Sequence, residues 1–177
     1  MAEAMTHPAE AIYQACDQWA SPLKEVLYES VMSLNAQVVV EIGTNIGDSA
    51  RIFSTALRHT GGHLWTLDTQ GANCTGIAGN WVESWDCSNI TFLVGDSATY
   101  PWEPPIDLLL IDGAHEYPAV STDLAVWWPR VREGGRMLVH DVTLMDDVHR
   151  AWREWVTRER RVCTYYPHGV GLAVINK

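Results

Sequence analysis

Val-Val-Val-Glu-Ile-Gly-Thr-Asn-Ile-Gly-Asp-Ser, residues 38–49, is the one stretch where a buried strand, a glycine-bearing turn and a helix start follow directly on one another. Val38, Val39, Val40 and Ile42 form a β-branched apolar run, which predicts a central parallel strand covered on both faces. Gly43 gives a turn without a Cβ, so that backbone amides can approach a ligand, and Gly47 lets the next helix pack close to the strand. Asp48 or Ser49 is placed to cap that helix, whose buried stripe is expected to run Ile46, Ala50, Phe53 and Leu57. Glu41 is an acid just ahead of the turn, where helix amides and a cationic ligand can both use it. The turn thus reads as a cradle made by Glu41, Gly43, Thr44, Asn45, Gly47, Asp48 and Ser49, better suited to a positively charged ligand than to a phosphate.

Working outward, residues 8–34 read as helix, interrupted at Ser21-Pro22 because Pro fits a first helical turn but not an interior. This helical cap, residues 1–35, precedes a single domain over 36–177, and either covers the sheet edge or roofs the site. Further strands are predicted at His63–Leu67, Ile90–Val94, Ile106–Ile111, Met137–Val139, Val162–Tyr166 and Leu172–Ile175. Helices alternate with them, one of which stops at Gly134-Gly135. The pattern argues a doubly wound, Rossmann-like α/β fold with a seven-stranded, mostly parallel sheet, an antiparallel last strand and helices on both faces. Residues 70–89, rich in Gly and Asn, read as a long loop in which Trp81 and Trp85 form either a lid or an anchor.

Composition narrows the function classes. With 47% apolar and 19% charged residues the 177-residue chain supports a globular core without staples. A net charge of −10 argues against nucleic acid, whose binding draws on Lys and Arg. Apolar runs are strand-length and the N-terminal residues lack the pattern of a secretory signal, so a cytoplasmic protein without membrane association is expected. Cys16, Cys74, Cys87 and Cys163 lack metal-ligand spacing, and reduced thiols are expected, with a Cys74–Cys87 pair left open. Oligomeric state, homo-oligomer included, is not readable.

In an open α/β sheet ligands bind beyond the carboxyl ends of the strands. This chain places Glu41, Asp68, Asp96, Asp112, His115, His140 and Asp141 there, a concentration that turn chemistry alone would not require. An acid, one residue, Gly, three residues, Gly, as in Glu41, Gly43 and Gly47, resembles the first motif of class I S-adenosylmethionine-dependent methyltransferases. Asp112-Gly-Ala-His115 with Gly134-Gly135 ahead of His140-Asp141 resembles their macrocin-type, cephalosporin-hydroxylase-like O-methyltransferase branch, over about residues 36–176.

The resemblance implies S-adenosylmethionine as cofactor and a small-molecule hydroxyl as acceptor. It implies Asp68 at the ribose hydroxyls, Asp96 with Ser97 at the adenine, and Asp112 beside the cofactor. In metal-dependent members an acid after the fourth strand and an acidic pair after the fifth hold magnesium, and a His three residues past the first acid is the base. Carried over, Asp112, Asp141 and the residue at 140 would be the ligands and His115 the base. The resemblance thus admits a divalent metal, magnesium or manganese, but His140 departs from the acidic pair, and an imidazole there points toward manganese, iron or zinc, or to no metal; it also leaves open that His140 orients the hydroxyl or shares the base role. The rival readings are a non-catalytic S-adenosylmethionine-binding protein and an NAD(P)-dependent oxidoreductase. The second predicts a G-x-G-x-x-G turn, which residues 43–47 do not supply.

Overall fold

The computed structural model describes residues 21–73, 76–77 and 86–177. The chain runs α1 (Ser21–Leu34), β1 (Val38–Ile42), α2 (Asp48–Thr60), β2 (His63–Asp68), a small ribbon of β3 (Ala72–Asn73) and β4 (Gly76–Ile77), β5 (Ile90–Val94) and β6 (Ile106–Ile111). It continues with α3 (Tyr117–Trp127), a 3₁₀ turn (Trp128–Arg130), β7 (Val131–His140), α4 (Asp146–Arg158), β8 (Cys163–Tyr166) and β9 (Leu172–Asn176). Seven strands form one sheet in the order β5-β2-β1-β6-β7-β9-β8. β9 is antiparallel to both neighbours and the remaining pairs are parallel. This is the doubly wound sheet expected. Strand order reverses between β1 and β6, so their carboxyl ends open side by side into the crevice where such sheets bind ligands.

Strand alternation divides the core in two. Val39, Leu64, Leu108, Leu110 and Leu138 face α1 and α2, packing on Leu27, Val31, Phe53 and Leu57. Val40, Ile42, Leu109, Ile111, Met137 and Val139 face α3 and α4, packing on Leu124, Trp127, Trp152 and Trp155. β6 is buried along its whole length, in keeping with a parallel strand covered on both sides. Helix α1 therefore belongs to the body of the domain, seated against α2. The expected break at Ser21-Pro22 falls at the edge of the described residues; residues 8–20, and the loop tryptophans Trp81 and Trp85, lie outside them.

Three expectations change. Gly134-Gly135 does not stop the helix, which ends at Trp127; the pair lies inside a ten-residue β7. Gly134 has φ +74, and a Cβ on Gly135 would come within 2.9 Å of the Asp107 carbonyl oxygen and 2.8 Å of Val131, so the glycines carry the strand past an irregularity in the β6 ladder. The 70–89 segment includes the β3–β4 ribbon. Cys87 is disulfide-bonded, against the expectation of reduced thiols, whereas Cys163 is free; Cys16 and Cys74 lie outside the described residues. Among the described residues no helix is long and apolar enough to cross a membrane.

Candidate active site

A cleft of about 880 Å³ opens over the carboxyl ends of β1, β2, β5, β6 and β7. One wall is the β1–α2 turn, with Gly43, Thr44, Asn45, Gly47, Asp48 and Ser49 all on its lining. The turn holds three left-handed residues, Gly43 (φ +94), Asn45 (φ +43) and Gly47 (φ +84). Gly43 is needed for a reason the spacing did not reveal: a Cβ there would lie 2.1 Å from the Asp112 carbonyl oxygen. It is the contact point at which β1 and β6 close on each other. Gly47 itself is the N-cap of α2, without a side-chain cap, so neither Asp48 nor Ser49 plays the expected capping part.

Glu41 does not line the cleft. Alternation along β1 sends its side chain to the α2 face, where it is fully buried. There it accepts hydrogen bonds from the Ser49 hydroxyl and, at 2.5 Å, from Thr66 directly across the ladder. Thr66 in turn meets the Thr44 hydroxyl at 2.7 Å. Burial lifts the Glu41 carboxyl to about 8, against the lowering effect of the Ser49 and Thr66 hydroxyls. Its expected direct contact with a cationic ligand is thus replaced by support of the turn from beneath.

Asp68 ends β2 on the cleft wall and binds backbone on both sides, accepting from Thr44 N–H at 2.9 Å and Gln70 N–H at 3.1 Å. The β5 end presents Asp96 and Ser97 to the same cleft. Asp96 accepts from Ala98 N–H at 2.9 Å, while the Ser97 hydroxyl donates to Asp123 at 2.6 Å. Asp123, on α3, is 3% exposed and also lines the cleft; burial raises its carboxyl above the usual range. Sequence reasoning missed it, because an acid in mid-helix reads as a solvated face. Its partner Ser97 is 26 residues away.

At the β6 and β7 ends four side chains form an alternating chain. His140 Nδ1 lies 2.8 Å from Asp112 Oδ1 and 3.3 Å from Asp141 Oδ2, and His115 Nε2 lies 2.8 Å from the same Asp141 oxygen. His115 is 45% exposed at the cleft, whereas His140 is only 10% exposed. Burial pushes Asp112 upward despite the His140 hydrogen bond. For Asp141 burial acts upward too, yet the bond from His140 and the two neighbouring imidazoles outweigh it and hold the carboxyl low. For His140 burial opposes the charge, but the two carboxylates prevail and raise the ring to about 9. Asp141 sits at φ +59, outside the β7 ladder, which turns its carboxylate back toward His115.

Residues 40–142 match the family model described as a methyltransferase domain, more than half of the chain. The chain belongs to the methyltransferase domain family. Solved structures agree on the fold of this methyltransferase. An O-methyltransferase from Bacillus cereus in complex with S-adenosylhomocysteine superposes with TM-score 0.67 at 18% identity, covering 98% of this chain and 92% of that one. TomG from Streptomyces achromogenes, an O-methyltransferase of tomaymycin synthesis solved with S-adenosylmethionine, gives 0.64 at 17% identity over 98% and 92%. The S-adenosylhomocysteine-bound methyltransferase PaMTH1 of Podospora anserina gives 0.67 at 15% over 96% and 86%. The fold is that of the class I methyltransferases.

The metal set carried over from the resemblance was Asp112, His140 and Asp141. In the methyltransferase the ligand-type atoms that converge within 4.8 Å of one another are instead those of Asp112, His115 and Asp141. His140 is wedged between the two carboxylates through its ring nitrogen. Magnesium favours an octahedral shell of oxygens at about 2.0–2.1 Å. In the set of one imidazole and two carboxylates, the imidazole is foreign to that shell, and one oxygen of each carboxylate already receives a ring N–H group.

Proposed function

We propose that this methyltransferase transfers the S-methyl of S-adenosylmethionine to a hydroxyl oxygen of a small acceptor. The observation that carries the reading is the His115–Asp141 pair at the cleft wall. With Nε2–H donated to Asp141, the Nδ1 lone pair of His115 is left to take a proton, and Asp141 fixes that tautomer and the ring's orientation. In the transfer, the acceptor O–H proton passes to His115 Nδ1 as the oxygen attacks the methyl carbon. The carbon–sulfur bond breaks with its electron pair going to sulfur, giving S-adenosylhomocysteine and a methyl ether.

The β1–α2 turn, Asp68 and the Asp96-Ser97 loop support the cofactor in this reading, with Asp68 toward the ribose and Ser97, held by Asp123, toward the base. Bringing nucleophile and methyl into line contributes several kcal/mol, because the sulfonium is reactive already. About 880 Å³ shared between cofactor and acceptor favours a small molecule as acceptor. Calorimetry with S-adenosylmethionine and with NAD(P), followed by mass spectrometry of a hydroxyl-compound panel, tests the proposal. A methylated ether and S-adenosylhomocysteine in equal amounts are expected. Binding of S-adenosylmethionine with methylation only of nitrogen or carbon acceptors would overturn it.

A further inference from the structure

Asp112 and Asp141 arrive at one point from two adjacent parallel strands, and carboxylates so placed need donors between them. In this fold the donor is internal. His140 is the last residue of β7, held in the ladder opposite Leu172, so its backbone cannot swing away without breaking the sheet. Its ring nitrogen lies within 2.8 Å of Asp112 and 3.3 Å of Asp141. The Asp141 oxygen that meets it also meets His115 Nε2, so that one oxygen faces two ring nitrogens. A metal ion taking that Asp141 oxygen would compete with both ring nitrogens, one of them on a side chain that is 10% exposed.

We propose that His140 occupies the place between Asp112 and Asp141 that a divalent ion would take, so that this enzyme positions its base without a metal. His140 is then a positioning residue. It fixes Asp112 directly, and through Asp141 it fixes His115. The inference rests on the O-methyltransfer reading but makes a separate claim. It gives the imidazole at 140 a definite job where the alternative was a borderline ion gathered by Asp112, His115 and Asp141.

The test titrates the full chain, stripped with a chelator, with magnesium, manganese and zinc chlorides in a calorimeter. No saturable binding is expected, and chelation is expected to leave both S-adenosylmethionine affinity and turnover unchanged. His140→Asp replaces the ring by a third carboxylate and is expected to gain magnesium binding in the same titration. Without the ion its turnover is expected to fall about 10- to 100-fold, and to recover on adding magnesium. A purely structural role for His140 would produce the fall but not the recovery. Saturable manganese or zinc binding by the unaltered chain, lost in His115→Ala, would overturn the inference, and this titration decides even if His140→Asp fails to fold. The two readings fail separately. A chain that binds cofactor and no metal yet methylates nothing sinks only the transfer reading, and one that methylates with a bound metal sinks only this one.

Discussion

The β1–α2 turn and the rim at the ends of β6 and β7 lie on the same cleft but are built differently. The turn is backbone: its shape comes from residues at positive φ and from a glycine that lets β1 touch the Asp112 carbonyl. The rim is side chain: Asp112, His115, His140 and Asp141 hold one another by hydrogen bonds between segments nearly thirty residues apart. A site made of backbone is disturbed by adding atoms, and a site made of side chains by removing them. On the proposed methyl-transfer reading, the first kind of damage is expected to fall on the fold and on cofactor affinity, the second on chemistry with the fold intact.

The contrast is sharpest at Gly43. Gly43→Ala adds a Cβ that would sit 2.1 Å from a backbone oxygen, at φ +94, and neither partner can rotate away. The expected cost is about 3 kcal/mol or more, read by urea denaturation, with cofactor binding lost alongside. His115→Ala should do the opposite. Turnover is expected to fall roughly 10²- to 10⁴-fold while calorimetric affinity for S-adenosylmethionine stays the same. Equal losses in both measurements would erase the distinction between the two regions.

Glu41 probes the ground beneath the turn through pH. Its folded carboxyl titrates at about 8 against an ordinary value of 4.5, so the folded state keeps a proton that the unfolded chain releases. The linked stability is whole below about 4.5 and is lost as pH rises through about 8. Glu41→Gln keeps the shape and removes the titration. The fall in unfolding free energy between pH 5 and pH 8.5 should shrink by up to about 4 kcal/mol relative to the unaltered chain. An unchanged pH profile would mean that Glu41 is ionised when folded. The smallest expected effect is Ser97→Ala, which removes one hydrogen bond to Asp123 and should weaken cofactor binding by about 1 kcal/mol, several-fold in Kd, with kcat little changed.

The same division explains what could be read from the chain. Backbone features speak locally: β1, β5 and β6 are found where their apolar runs place them, and the glycines at 43 and 47 mark the turn. Glycine is ambiguous, however, about which constraint it answers. Gly134-Gly135 looks like a helix stop because the carbonyl of Asp107, which it must pass, comes from another strand. Side-chain sites speak only through tertiary contact. Asp112, His115, His140 and Asp141 could be placed on the cleft because each lies at or just past the end of a strand. Glu41 follows the same rule and was misplaced, since period-two alternation turns it away from the cleft. Asp123 carried no local mark at all; its meaning appears only once α3 lies against the Ser97 loop.

Asp141 faces His115 from a backbone setting, φ +59, that glycine would occupy with about 1 kcal/mol less resistance. Glycine there would release that local strain only by giving up the hydrogen bonds from both imidazoles, so two opposing contributions meet at one position. On the O-methyltransfer reading, laboratory evolution aimed at robustness should therefore hold codon 141 fixed.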